Sequence, residues 1–507
     1  MISATTSPRP LEATAKCAYS TTPTAADPYA YQVGFGNRFA TEAIPGVLPN
    51  ARNTPQRCKY DLFSEQLNGT PFVSARASQL HAWFYRIRPS VAHRPMKKYR
   101  QRHDDLQACF STSNDKAQFL PQDQSWDSFP LPNDSESVDF VEGIKTIGGH
   151  GDPVLKEGLA VHVYTANRSM DRTAFCNNDG DFLILPQQGR LDIQTESGHL
   201  MVQPGELAVI QAGIRFRVRL PDGPVRGYIQ EIFGSHYELP ELGPIGSNGM
   251  ASPRDFEHPL ASFEVDVDPS APWTVICKLA GQLFEYEQDH TPFDVVAWHG
   301  NYVPYKYALE KFINSATVDK EQSDPSIYCV LMARSKVPGV ALSEFLVFTP
   351  KWSVTSNTFR PPYYHRNVAT ELMGMIYGVW SGSATTLVPG GLTYEASFMP
   401  HGESYERWKD ATTVDLQPQR INEDAMAFMF HISGHISLTD YALERTGVLH
   451  DLQPAFWDGF EGGFLNHLDQ VSKDLAAAGQ PQLVAGSSNT RAVKGINGHV
   501  PNGHGHH

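Results

Sequence analysis

The sequence predicts an all-β protein with minor α content, arranged as two strand-rich units in series. Three observations carry this. Between its tails the chain is a succession of runs of four to eight residues rich in β-branched and aromatic types, punctuated by Gly, Pro and Asn at the spacing of sandwiches and barrels. Helical periodicity is sparse. The runs also fall into two blocks, separated near residues 300–320.

Taken in order, residues 1–29 are rich in Ser, Thr, Ala and Pro and read as a disordered tail. Residues 30–309 form the first unit, an N-terminal β-sandwich or cupin-like domain with strands in AWFYRIRPS, LAVHVYTAN, DGDFLILPQQGRLDIQT, HLMVQPGELAVIQAG and RFRVRL. Within it, GRLDIQTESGHLMVQPGELAVIQAGIRFRV has the Gly-turn-PGE-turn rhythm of a cupin, a small jelly-roll barrel that often holds a metal. Where a cupin places its last ligand this chain has Ile214-Arg215-Phe216, and DGDFLILP supplies no histidine pair. The first unit therefore reads as a metal-free scaffold. NYVPYKYALEKFIN, at the junction, is the best helix candidate. Residues 310–470 form the second unit, a C-terminal cupin-like jelly roll with strands in SIYCVLMA, ALSEFLVFTP, ELMGMIYGVW and DAMAFMFHIS. Residues 471–507 read as a flexible tail, whose His499, His504, His506 and His507 lack the fixed geometry catalysis needs.

Composition excludes several classes of function. The chain has 507 residues, 41% of them apolar, enough for more than one core, and no run approaches the ~20 apolar residues of a membrane helix. No secretory signal is visible at the N-terminus. Cys17, Cys58, Cys109, Cys176, Cys277 and Cys329 are scattered without CxxC pairing, as in reduced thiols of a cytoplasmic protein. A net charge of −14 without a basic cluster argues against nucleic acid as partner. No HExxH, GxSxG or GxxxxGK[ST] occurs, so metalloprotease, nucleophile-elbow hydrolase and phosphate-loop chemistries lack support.

One constellation remains. His365 and Glu371 lie six positions apart in RPPYYHRNVATELMG, and His401 follows in YEASFMPHG. Two imidazoles and one carboxylate are the set with which a protein holds Fe(II) by one face, leaving positions open for substrate and O2. Six extended residues span ~20 Å, so the chain must fold back after His365, and Arg366-Asn367 is the polar break where it can. Each residue alone has a bland reading, His365 and His401 as turn histidines and Glu371 as a partnered carboxylate. Together, and with Gly378 completing the second half of a cupin metal motif, they indicate a mononuclear metal site, which Zn(II) would also accept. His431 and His435, spaced four apart in a strand-and-turn segment, read as packing or supporting residues. His299, His81, His162 and His236 read as interfacial or locally hydrogen-bonded.

YQVGFGNRFATEAIPGVLPNARNTPQ, FCNNDGDFLILPQQGRL, HYELPELGPIGSNGMASPRDF, VVAWHGNYVPYKY and RPPYYHRNVATELMG resemble characteristic segments of the homogentisate 1,2-dioxygenase family. The resemblance covers about residues 30–450. It implies Fe(II) held by His365, Glu371 and His401, and ring cleavage of a small phenolic substrate by O2. It further implies a homo-oligomer, either a trimer or a hexamer built as a dimer of trimers. Asn367, Tyr364, Tyr377 and Trp380 are the substrate-contact candidates.

Departures from the family pattern cluster around the expected substrate. The family's acid–base His on the loop before DPSI is missing from NSATVDKEQSDPSI. Trp380 stands where the family has a Tyr, and Glu395 where it has a His. Glu395, Trp380, Asp319 and Glu321 are therefore the catalytic candidates. The departures point first to a related phenolic substrate, as in secondary metabolism. The alternative is authentic homogentisate cleavage to maleylacetoacetate, as in tyrosine and phenylalanine catabolism, with Asp319, Lys320, Glu321 or Glu395 covering for the missing His. A third reading is a non-oxygenase metal-binding cupin.

Overall fold

Strand Gly180–Gln188 shows how the alternation of a β-strand builds two cores at once. Leu183 and Leu185 point into one core, together with Val161, Tyr228, Leu372 and Phe428. Phe182 and Ile184 point into the other, together with Ile210, Phe216 and Trp298. With both faces covered, the strand reads as an unbroken apolar run rather than an alternating one. Fully burying each such side chain contributes about 1.5–3 kcal/mol.

The computed structural model describes residues 15–17, 20–21 and 23–483, apart from 244–245, 247–249, 267–269, 315–317, 321–327, 381–386 and 452–456. The protein is all-β with minor α content. Its largest sheet has twelve strands among the described residues, with Glu157–Ala166, Val225–Phe233, Gly180–Gln188, Glu206–Ile210 and Tyr305–Ala308 side by side. A seven-stranded sheet built around Thr173–Asn177 and Trp273–Leu279 contributes Phe175, Phe216 and Ile276 to one of the two cores. A second seven-stranded sheet contains Cys329–Arg334, Ala341–Phe348, Met426–Ile432, Thr370–Tyr377 and Leu392–Glu395, in that order. It contributes Leu331, Phe345, Phe430 and Ile376 to the other core.

The segments on either side of residue 310 interlock. Gln124–Trp126 is an edge strand beside Leu392–Glu395, and Ser437–Thr439 pairs with Ile144–Asp152. Trp126 is fully buried and its indole N–H donates to the Ala442 carbonyl at 2.7 Å. Met1–Gln453 form one compact unit and Pro454–His507 a second.

In the first half, a lysine ammonium is enclosed by acidic groups. Lys278 Nζ lies 2.8 Å from Asp179 Oδ2 and 2.7 Å from Glu231 Oε1. Glu231 also approaches His162 Nε2 at 3.2 Å, and His162 Nδ1 faces Thr146 Oγ1 at 2.9 Å. Ile214 and Phe216, at the position of a cupin's last ligand, are buried in the core.

Two local expectations are corrected. NYVPYKYALEKFIN is not a helix: it contains strand Tyr305–Ala308 and a single 3₁₀ turn, Leu309–Lys311. A period of two decides it. Tyr305 and Tyr307 enter the apolar core, while Lys306 turns to Asp27, Glu206 and Glu257. Conversely, helices occur at Tyr405–Thr413 and Leu468–Ala477, neither of which buries a residue. Leu468, Val471 and Leu475 recur at helical spacing in the second, and the Ser404 hydroxyl caps the first by accepting from the Arg407 amide. The second helix extends into the range expected to be tail; the four terminal histidines lie outside the described residues. No helix of the described residues is long and apolar enough to cross a membrane. The described cysteines Cys58, Cys109, Cys176, Cys277 and Cys329 are free thiols.

Candidate metal centre

Local chain geometry brings His365 and His401 together first. The two residues form an isolated antiparallel bridge, each amide donating to the other's carbonyl at 3.1 Å. Gly402 is required beside it, because a Cβ there would lie 2.6 Å from the Tyr364 ring. The chain folds back after Arg366-Asn367, and strand Thr370–Tyr377 then carries Glu371 as its second residue. Return strand Leu392–Glu395 pairs with it and leads the chain to His401.

The ring orientations are set by the backbone. His365 Nδ1 lies 2.7 Å from the Tyr363 carbonyl oxygen, and His401 Nδ1 lies 3.0 Å from that of Met399. A nitrogen facing a carbonyl must carry the proton, so in each neutral ring Nε2 presents its lone pair. These two Nε2 atoms lie 2.9 Å apart. Two lone pairs at that distance repel unless a proton or a cation lies between them. Glu371 Oε1 lies 3.7 Å from His365 Nε2 and 3.8 Å from His401 Nε2. All three donor atoms fall within 4.8 Å of one another. Metal bonds of ~2.0–2.2 Å place neighbouring donors of an octahedron about 3 Å apart and opposite ones about 4 Å. The donor set therefore fits one ion.

Electrostatics follow from burial and mutual contact. Burial opposes ionisation of Glu371, but bonds from His365 and Asn367 and the charge of His401 outweigh it and hold its pKa below the ordinary value. Hydrogen bonding to Glu371 raises the pKa of His365, while burial lowers that of His401. Asn367 Nδ2 donates to Glu371 Oε1 at 2.6 Å, and its Oδ1 accepts from the Ala369 amide. Asn367 thus orients the carboxylate as well as closing the turn.

Other expected site residues are distributed unevenly. Glu395 is brought in: it is the direct cross-strand partner of Glu371, with Oε2 3.5 Å from His401 Nε2. Burial, then repulsion from Glu371, Asp123 and Glu403, pushes its pKa well above the carboxylate range. Tyr364 stands half-exposed beside Gly402, at the rim with Tyr363 and Phe398. Tyr377 packs on the large core beyond a bulge between Met375 and Tyr377. Trp380 packs edge-on to Phe348 at 5.4 Å, in a cluster with Met373, Met375, Met429 and Leu387. Its indole N–H has no acceptor among the described residues. The Asp319 carbonyl accepts from the Ser356 amide. Glu321 lies outside the described residues.

Three groups escaped the sequence reading. Glu403 is buried, which raises its pKa to about 7. Asp123, which burial raises to about 6, adds to the repulsion on Glu395. Glu344 is the cross-strand partner of His431, and its Oε2 lies 2.9 Å from His431 Nδ1. His431 is in turn the partner of Glu371, so Glu344, His431, Glu371 and Glu395 make one row across four strands. No sequence spacing announces that row, because it depends on strand register.

Comparison with known proteins bears on the same residues. Residues 30–309 match the family described as homogentisate 1,2-dioxygenase N-terminal, and residues 310–464 the one described as homogentisate 1,2-dioxygenase C-terminal. Homogentisate 1,2-dioxygenase of Arabidopsis thaliana is 45% identical over 465 residues, covering 90% of this chain and 97% of that one. The Caenorhabditis elegans enzyme of the same name is 46% identical over 419 residues, covering 82% and 94%. That of Dictyostelium discoideum is 47% identical over 433 residues, covering 85% and 97%. Among solved structures, a mutant of Bacillus subtilis oxalate decarboxylase matches at 11% identity and a TM-score of 0.26, covering 62% of this chain and 79% of that one. A cupin 2 conserved barrel domain protein from Leptotrichia buccalis matches at 9% identity and 0.23, covering 55% and 83%. Scores this low add nothing to the fold read from the strands themselves. Two family matches spanning most of the chain, with relatives near half identical over nearly their full length, make the chain a member of the homogentisate 1,2-dioxygenase family, oxidoreductases of the dioxygenase class.

Proposed function

We propose that the chain binds one Fe(II) through His365, Glu371 and His401 and uses it with O2 to open the ring of a dihydroxylated aromatic. Homogentisate is the substrate that the relatives' name supports. The observation that carries the metal reading is the pair of opposed Nε2 lone pairs 2.9 Å apart, both rings held by backbone carbonyls, with a carboxylate beside them. When bound, Fe(II) would offer open positions to substrate and O2 and pass electron density between them. The protein's part is positioning. Backbone bonds fix both rings, Asn367 aims Glu371, and the partly exposed His365 edge lies beside the rim aromatics Tyr363 and Tyr364.

A second reading, a related phenol with a different substituent, is favoured by one feature. The Glu395 carboxyl lies 3.5 Å from His401 Nε2 among the acidic groups Glu371, Asp123 and Glu403, so an anionic side chain on the substrate would find no cationic partner beside it. Oxygen uptake by Fe(II)-loaded protein separates the two. With homogentisate, kcat/KM of about 10⁴ M⁻¹s⁻¹ or above, the range of efficient enzymes, supports the family substrate. Slow turnover of homogentisate beside fast turnover of an uncharged hydroquinone supports the second. No uptake with any hydroquinone or catechol would sink both. We also infer a homo-oligomer in the cytoplasm, with a trimer or hexamer expected from light scattering.

A further inference from the structure

We propose that Cys277 and Cys176 are a peroxide-reactive thiol pair in the first half of the chain, which a hydroperoxide oxidises to a disulfide and a small thiol reopens. Strand register places them. Thr173–Asn177 and Trp273–Leu279 run parallel, with Cys176 directly beside Cys277. Neighbouring strands lie ~4.7–4.9 Å apart, inside the ~4.4–6.8 Å that disulfides span between Cα atoms. No large backbone movement is therefore needed to join the sulfurs. Both are free thiols, hydrogen-bonded to each other within an apolar cluster that includes Ala174, Trp273, Val275 and Tyr286.

The row continues into a cation. Arg215 is the direct antiparallel partner of Cys176 on its other side, so its side chain leaves the sheet on the same face. Arg215 Nη1 stands 3.6 Å from Glu196 Oε1 and has no hydrogen-bond acceptor among the described residues. Glu196 is already engaged by Arg86 at 2.9 Å and by the Arg215 amide. The bond from Cys176, then the charge of Arg215, outweigh burial and lower the pKa of Cys277, while the same bond and burial raise that of Cys176. Cys277 is thus the attacking thiolate and Cys176 the resolving thiol. With 7% and 5% exposure, the two sulfurs suit an oxidant as small as hydrogen peroxide. The Cys277 thiolate attacks one peroxide oxygen; an S–O bond forms, the O–O bond breaks and hydroxide leaves. Cys176 then attacks that sulfur, the S–S bond forms, the S–O bond breaks, and the oxygen leaves as water with the Cys176 proton. The sulfurs lose two electrons and the peroxide gains them. The hairpin of Trp273–Leu279 and Gln282–Gln288 joins its sheet at the Thr173–Asn177 seam, so the bond would fasten it there, closing a loop of about 100 residues in the unfolded chain.

Reduced full-length protein exposed to graded hydrogen peroxide tests this. Peptide mapping by mass spectrometry without reductant should find Cys176 joined to Cys277, and the linked peptide should vanish after dithiothreitol. The denaturant midpoint should rise on oxidation and return on reduction. Cys176→Ser should leave a sulfenic acid on Cys277 that dimedone traps, whereas Cys277→Ser should leave Cys176 a thiol at the same exposure. The exposed Cys109 gauges the dose. Oxidation of Cys109 with Cys176 and Cys277 both still thiols would overturn the pair, as would a linked peptide joining either one to another cysteine. A linked pair with an unchanged midpoint would overturn the fastening of the hairpin, and dimedone found on Cys176 instead would overturn the assignment of roles. Mapping of the parent decides the pair even if a variant fails to fold.

Discussion

At the scale of single residues, the candidate centre depends on how each donor is held. His365 and His401 are locked by the same device, Nδ1 bonded to the carbonyl two positions earlier. Neither ring needs a distant partner to present Nε2. His365→Ala or His401→Ala should therefore remove the metal and spare the fold, since His365 is partly exposed and neither side chain belongs to an apolar core. Metal analysis should find about one Fe per chain in the parent, the capacity of a single three-ligand site. Full retention of iron in both variants would refute the ligand assignment. Glu371→Gln preserves volume and removes the charge facing the ion, so it should depress turnover far more than the melting temperature. Unchanged turnover at saturating iron would show that Glu371 is not a ligand.

Elements decide where those residues stand. Strand Thr370–Tyr377 presents Glu371, Met373 and Met375 on one face and Leu372 and Ile376 on the other. The apolar face anchors it. Phe428 lies over Gly374, where a Cβ would come 2.3 Å from the ring, and Phe428 packs edge-on to Tyr228 at 4.9 Å. Gly374→Ala should therefore force the ring aside and destabilise the protein by about 1–3 kcal/mol, the usual cost of overpacking. A lowered denaturation midpoint together with weakened metal binding is the expected pair, because the displaced strand carries Glu371. Unchanged stability would mean that Phe428 yields freely and is not the anchor. A bulge beyond Met375 reverses the facing and commits Tyr377 to the core. Strict alternation from Glu371 would have kept it on the metal face.

For the whole molecule, buried charge couples stability to pH. His236 Nδ1 lies 2.8 Å from Asp181 Oδ2 and its Nε2 lies 2.6 Å from the Gly69 carbonyl oxygen, so both nitrogens donate and the ring is an imidazolium. Burial opposes that charge, but Asp181 and the two hydrogen bonds win and raise its pKa from 6.5 to about 9. The folded state thus holds this proton more tightly than the unfolded chain does. Its stabilising contribution is complete below pH 6.5 and disappears as pH rises through about 9. Denaturant midpoints should fall across that window in the parent, and the fall should shrink in His236→Gln. An equal fall in both would assign the dependence to other groups. The contact ties the chain after strand Val225–Phe233 to both Asp181 and the Gly69 loop, distant in sequence.

Sequence by itself determined the strand content and singled out the trio His365, Glu371 and His401, which the fold brings together. Alternation and turn residues are local properties, and a ligand set is recognisable from residue type wherever the chain can fold back. It misread Tyr305–Ala308, where a helical pattern over YALEKF competed with alternation that only the buried partners of Lys306 settle. It passed over Tyr405–Thr413 and Leu468–Ala477, runs of nine and ten residues too short for their apolar period to stand out, the second lying mostly in the range read as tail. Around the centre it offered Glu395 only as a changed family position and gave no sign of Glu403 or of a Glu344–His431 contact. Those placements belong to the tertiary structure. Which residue faces Glu371 across a strand pair depends on the register between segments far apart in the chain, and register is set by how whole sheets bury their apolar faces.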